Sequence, residues 1–293
     1  IKRTGLLKFR KKDSAVFFHM KRAVYSYCSW KQKGRWAMTK EIQIREVRIG
    51  SGQPKICVPM TGKDRSALLE EAGRIRDIKA DLAEWRADFY EGLSHEESLP
   101  DMLREIRNAL GEIPLIFTIR TVSEGGNAEI SEKEYEKYTL TAAESGNADL
   151  IDIEYFSHEN VSELICRIQM TGAKVIASTH DFEKTDDSKT LKNRFIDMDA
   201  SGADILKMAV MPQRFEDVAD LMQVTSEVTE EYTEKPVIAM SMGNLGSMSR
   251  IAGENFGSSV TFATVGKASA PGQFPVEELR MMMNALHKKN VED

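Results

Sequence analysis

From Lys55 onward, short apolar, β-branched runs alternate eight times with longer stretches of helical spacing. The strand-like runs cover residues 55–60, 82–88, 114–120, 149–155, 174–180, 205–211, 236–242 and 260–265. Behind the first, Leu68, Leu69, Ala72, Ile75 and Ile78 recur at helical intervals. Behind the last, Val276, Leu279, Met282, Met283 and Leu286 follow Pro275, a residue suited to the first helical position. Ser94-x-x-Glu97 and Ser131-x-x-Glu134 read as capping boxes for the second and third helices. Eight such units with no second block left over predict an α/β chain folded as one (β/α)₈ (TIM) barrel. The rival is a doubly wound open sheet, which ordinarily has fewer strands; no GxGxxG follows the first strand here. Ahead of the barrel, residues 41–52 alternate about a turn and predict a short N-terminal β-hairpin closing the barrel floor. Pro59 falls near the end of strand one, where a missing ladder bond is tolerable.

Side chains two apart on a strand share a face. In 82–88 the apolar set Ala83, Trp85 and Ala87 suits packing against helices, which turns Glu84, Arg86 and Asp88 toward the barrel axis. Thr118 and Arg120, Asp152 and Glu154, and Ser178 and His180 share inward faces on the next three strands. Buried unpaired ions cost several kcal/mol each, so a fold does not collect them as filler. Their late positions in successive strands are where barrel enzymes keep their sites. Lys207, alone within Ile205–Met211, is the most informative of them. A closed barrel has no solvent edge, so this lysine is buried; burial lowers its pKa and favours a free amine able to attack a carbonyl. Spacing alone therefore indicates a Schiff-base barrel enzyme, and a class I aldolase fits it equally well. A lone histidine is more often structural, but His180 on the neighbouring strand could serve iminium chemistry as a proton shuttle. His19, His95, His158 and His287 read as surface residues. No His/Cys/Asp/Glu set has convincing metal spacing, and with Lys207 as electron sink no cofactor is expected.

Composition bounds the rest. The chain has 293 residues, 41% hydrophobic and 29% charged, without an apolar run long enough to cross a bilayer. Cys28, Cys57 and Cys166 are scattered, without CxxC spacing, which fits a reducing cytoplasm. Residues 1–37 carry eleven Lys/Arg and one acid, a net +10, whereas the whole chain is −6. The acidic body is a poor nucleic-acid binder. The composition shifts at Met38, so residues 1–37 read as a basic leader, disordered or a misassigned start, with the catalytic domain at 38–293. A transit peptide and a nucleic-acid tail are the other readings of the leader.

Several dispersed motifs carry a family resemblance. They are Glu84-Trp85-Arg86-x-Asp88, Phe117-Thr118-x-Arg120-x-x-x-Glu124-Gly125-Gly126, Ser178-x-His180-Asp181-Phe182, and Ala203-Asp204-Ile205-x-Lys207-x-Ala209-Val210-Met211-Pro212. Met240-Ser241-Met242-Gly243, Ser249-Arg250 and Ser269-Ala270-Pro271-Gly272-Gln273 complete the set. In order and strand position the chain resembles the type I 3-dehydroquinate dehydratases from about Lys55 to its end. The resemblance implies a lyase of the shikimate pathway that dehydrates 3-dehydroquinate to 3-dehydroshikimate by syn elimination. By it, Lys207 forms an imine with the C3 ketone, while His180 removes the C2 proton and then protonates the departing C1 hydroxyl. Glu124 would orient His180. Glu84, Arg86 and Arg120 would contact ring hydroxyls, and Arg250 the carboxylate. Ser269 and Gln273 fall in a closing lid at 266–273. Phe262, Met240 and Met242 would line the pocket, though they suit plain barrel core equally well. The family also implies a homodimer. A non-catalytic binding protein that keeps the pocket, and a nucleic-acid-associated protein acting through the leader, are readings of other classes.

Overall fold

The computed structural model describes residues 41–93, 99–266 and 269–287. A two-stranded antiparallel hairpin comes first, β1 (Ile42–Ile44) and β2 (Val47–Ile49). The strands β3 (Lys55–Met60), β4 (Leu82–Arg86), β5 (Leu115–Thr118) and β6 (Leu150–Glu154) follow. Helices α1 (Arg65–Asp77), α2 (Leu99–Leu110) and α3 (Glu132–Glu144) separate them. The second half runs α4 (Val161–Met170), β7 (Lys174–Asp181), α5 (Ser188–Ala200), β8 (Ile205–Val210), α6 (Phe215–Glu231) and β9 (Val237–Ser241). It ends with α7 (Ser247–Ile251), β10 (Val260–Thr264), the two-residue β11 (Phe274–Pro275) and α8 (Val276–Leu286).

Strands β3 to β9 pair in parallel in sequence order, with β10 on the far side of β3. The ring closes at Ser258-Ser259: Ser258 bridges Val237, and the Ser259 amide donates to the Val237 carbonyl at 2.7 Å. The chain is a (β/α)₈ barrel, as the alternation of strand and helix patterns predicts. No helix among the described residues is long and apolar enough to cross a membrane.

Three differences from the predicted elements have local causes. Strand β4 stops at Arg86, because residues Ala87–Phe89 form a 3₁₀ turn. That turn draws the Asp88 carboxylate onto the Arg120 and Asn127 amides, at 3.3 and 3.1 Å. Pro275 is extended (φ −57, ψ 143), so it precedes α8 instead of opening it. His158 is not a surface residue. Its side chain is 8% exposed, with the ring stacked on Tyr135 at 3.8 Å and Nε2 3.7 Å from a Glu154 oxygen. His287 is exposed, and the Ser131–Glu134 capping box is present. The Ser94–Glu97 box, His19, His95 and residues 1–37 lie outside the described residues.

The barrel interior is layered. At the floor, each strand from β3 to β10 contributes one residue: Cys57, Leu82, Ile116, Leu150, Ile176, Ile205, Ile238 and Val260. All are buried, and burying each such aliphatic side chain contributes roughly 1.5–3 kcal/mol. The hairpin seals this layer from below with Ile44 and Ile49. Arg45 at its turn donates Nε to Asp149 at 2.7 Å, and Arg107 of α2 holds the other Asp149 oxygen at 2.8 Å. Outward-facing Ala83, Trp85 and Ala87 pack in the cluster shared with the helices.

Candidate active site

Two residues up from the aliphatic floor, the inward positions of five successive strands turn polar. Glu84, Thr118, Asp152, Ser178 and Lys207 occupy them on β4 to β8, and all five are buried. A further two residues up stand Arg86, Arg120, Glu154 and His180. Parallel register puts Lys207 opposite Ser178, and Ser178 opposite Glu154. The charges that alternation alone turns inward thus meet in one network.

Lys207 is 4% exposed. Its Nζ lies 3.0 Å from Asp152 Oδ2 and 3.3 Å from Glu84 Oε1, and 4.8 Å from the centre of the Phe262 ring. Asp152, fully buried, also receives Arg120 Nη2 at 2.6 Å and Ser178 Oγ at 2.7 Å. Burial alone would raise the Asp152 pKa, but the Arg120 and Lys207 cations hold it far below the usual carboxylate range. For Lys207 the expectation of a lowered pKa is not met. Burial does push it down, but the two carboxylates outweigh burial and leave the ammonium favoured in the free protein.

His180 shares Nδ1 with Glu124 Oε2 at 2.8 Å, and Ser157 donates to the other Glu124 oxygen at 3.0 Å. Glu124 reaches this position from a 3₁₀ turn (Val122–Glu124) that ends on Gly125 at φ 76. The next residue must also be glycine, since a Cβ on Gly126 would run into the Arg120 carbonyl. Burial, then the Arg120 and Lys207 cations, push His180 well below its ordinary value, so the ring is neutral. Burial pushes Glu124 up to about 8, against the pull of Arg120. The neutral imidazole thus lines the cavity with its Nδ1 held by Glu124.

Arg250, on short α7, is 1% exposed. Among the described residues no carboxylate lies within ion-pair distance of its guanidinium. Among the described residues it donates only to the Pro271 carbonyl at 3.1 Å and to Met240 sulfur at 3.7 Å, and Nε is buried without a partner there. Burial pulls its pKa down to about 10.

These groups surround a cavity at the C-terminal mouth of the barrel. Lys207, His180, Glu84, Arg86 and Arg120 line it. Arg250, Met240, Met242, Phe262, Ser269 and Gln273 line it as well. Arg86 is fixed by Asp88 through two bonds of 2.8 Å, and Ser269 and Gln273 hydrogen-bond each other at 3.0 Å. Of the residues singled out from sequence, only Glu124 stands behind the wall, touching His180. Phe182 and Ala209 also line the cavity and were not anticipated; both share a strand-end motif with His180 or Lys207. Alternation turns Asp152 and Ser178 inward without giving either a role. Only the strand register shows that they join Lys207 to Arg120.

Fold and cavity together define a (β/α)₈-barrel enzyme with a lysine at the centre of its C-terminal site. The family model for type I 3-dehydroquinase matches residues 56–290, and the chain belongs to that family. It is 43% identical over 252 residues to the 3-dehydroquinate dehydratase of Bacillus licheniformis, covering 86% of this chain and 99% of that protein. With the Clostridioides difficile 3-dehydroquinate dehydratase it shares 40% over 252 residues. The type I enzyme of Clostridium difficile, solved with covalently modified comenic acid, superimposes with a TM-score of 0.83 at 39% identity, over 85% of this chain and 99% of that one.

Proposed function

We propose that this chain dehydrates 3-dehydroquinate to 3-dehydroshikimate within the shikimate pathway, through an imine on Lys207. The observation that carries this reading is the presence in one cavity of a central lysine and a buried Arg250 with no partner carboxylate among the described residues. A buried guanidinium without a carboxylate is a costly feature unless an anion completes it. The substrate is a carboxylate and a ketone in one ring, which matches both ends.

In this mechanism Arg250 clamps the carboxylate, a role suited to its planar donor fork. Glu84, Arg86 and Arg120 orient the ring hydroxyls, and Ser269 and Gln273 cover the mouth. Phe262, Met240 and Met242 form the apolar wall. Lys207 condenses with the C3 ketone and releases water. The iminium draws electron density from C2, so neutral His180 can remove a C2 proton there. The C2 carbanion is held as an enamine. His180 then returns its proton to the C1 hydroxyl, which leaves as water from the same face. Glu124, at 2.8 Å from Nδ1, fixes the ring orientation through both transfers. Hydrolysis of the product imine restores Lys207.

Residues 38–293 form the catalytic domain on this reading, and residues 1–37 are dispensable to turnover. We place the enzyme in the cytoplasm, consistent with free Cys57 and Cys166, and expect a homodimer. Turnover is the deciding test. The chain mixed with 3-dehydroquinate should generate the absorbance of a conjugated enone. Binding without that signal would leave a non-catalytic protein and sink the proposal.

A further inference from the structure

Making an imine from a lysine that starts as an ammonium poses a problem of protons. Nζ must lose one before it can attack, and the carbonyl oxygen must gain protons to leave as water. The two carboxylates beside Nζ are not equivalent. Asp152 is fully buried, lies outside the cavity lining, and is committed to Arg120, Ser178 and Lys207 at 2.6, 2.7 and 3.0 Å. Glu84 lines the cavity. Its Oε1 takes bonds from Thr118 at 3.0 Å and Lys207 at 3.3 Å, while Oε2 receives none among the described residues. His180 makes no hydrogen bond to Nζ and is engaged with Glu124.

Resting on the imine reading above, we propose that Glu84 and Asp152 divide the acid–base work of imine formation. Glu84 carries the Lys207 proton to the departing oxygen, and Asp152 stays ionised throughout as the counterion of the nitrogen. The balance closes without an outside acid or base. An Nζ proton passes to Glu84, and the free amine forms the N–C3 bond as the carbonyl π bond breaks. The second Nζ proton passes to the alkoxide, directly or through Glu84. Glu84 then gives its proton to the C3 hydroxyl, which leaves as water as the C=N bond forms. The last Nζ proton remains on the iminium, hydrogen-bonded to Asp152. An ammonium and a ketone have become an iminium and water, and both carboxylates end as they began.

The test is rapid mixing with saturating 3-dehydroquinate followed by borohydride quenching at set times. In the wild type the rate of imine formation should stay level across the neutral pH range, because the proton it needs is stored in the site. Glu84→Gln should slow it by about 10²-fold. The residual rate should climb about tenfold per pH unit, following the scarce free amine. Glu84→Asp should recover a level profile. A purely structural or ring-binding role for Glu84 would not create that slope. Asp152→Asn should still form the imine, but its exchange of C2 deuterium should fall as pH rises and the iminium loses its proton. Wild-type rate and profile in Glu84→Gln would overturn the shuttle, and wild-type exchange in Asp152→Asn would overturn the counterion. If either variant fails to fold, the wild-type profile decides: a tenfold climb per pH unit overturns the stored proton, and a level rate supports it. No adduct in the wild type at all would instead remove the imine reading itself.

Discussion

The barrel floor and the barrel mouth are built from the same strands, two to four residues apart, and follow opposite rules. At the floor eight apolar side chains and the hairpin residues Ile44 and Ile49 exclude every charge. At the mouth Lys207, Arg120, Asp152, Glu154 and Glu84 are buried together. Each floor residue gains from leaving water. The mouth ions lose hydration and recover it only through a network in which each is matched, as Asp152 is by Arg120, Lys207 and Ser178. The exception is Arg250, which has no partner ion among the described residues. Stability is concentrated below and reactivity above, which is how one scaffold supports chemistry without surrendering its core.

Substitutions should therefore separate the two ends. The largest effect is expected from Lys207→Ala, which should reduce turnover to background while the far-UV spectrum of the barrel is kept. Residual turnover within tenfold of wild type would break the contrast. His180→Ala should still yield a trappable imine but slow elimination by about 10²–10⁴-fold. Arg250→Met should raise KM by about 10- to 100-fold, the scale of a lost charge-assisted bond. Because its guanidinium is buried without a carboxylate, the same change should leave Tm unchanged or higher. A marked fall in Tm would place Arg250 with the structural residues. Ile238→Ala at the floor should do the reverse, costing about 2–5 kcal/mol in denaturant unfolding with kcat unchanged below the transition.

The smallest effect is a matter of pH. The base form of His180 is the working one, and burial together with Arg120 and Lys207 pushes its pKa well below 6.5. The imidazole should stay unprotonated as pH falls through 6.5, and kcat should hold there, declining only at more acid pH. A decline centred at an ordinary histidine value would show that the mouth does not depress this ring.

Much of this contrast is legible in the sequence, and the limits are physical. Residue alternation puts Ala83 and Trp85 outside and Glu84 and Arg86 inside, because side-chain direction is a local property of a strand. It also marks Lys207 as buried once the strands are counted. Alternation ends where the strand ends, so it does not show that Asp88, on the 3₁₀ segment Ala87–Phe89, holds Arg86. It is silent on register, so Asp152 could be seen to face inward but not to meet Lys207 and Arg120. The lysine's charge state escapes for the same reason. Burial is readable from an apolar strand, whereas the two carboxylates that reverse its effect come from β4 and β6, far away in the chain. His158 looked like a loop residue, and only the fold stacks it on Tyr135.

The central claim is that the mouth of this barrel works through a covalent bond to Lys207. Borohydride reduction of the protein in the presence of 3-dehydroquinate, followed by peptide mass spectrometry, tests it most directly. A single substrate-dependent adduct is expected on the peptide carrying Lys207, lost in Lys207→Ala. An adduct on another lysine, or turnover without any adduct, would contradict it.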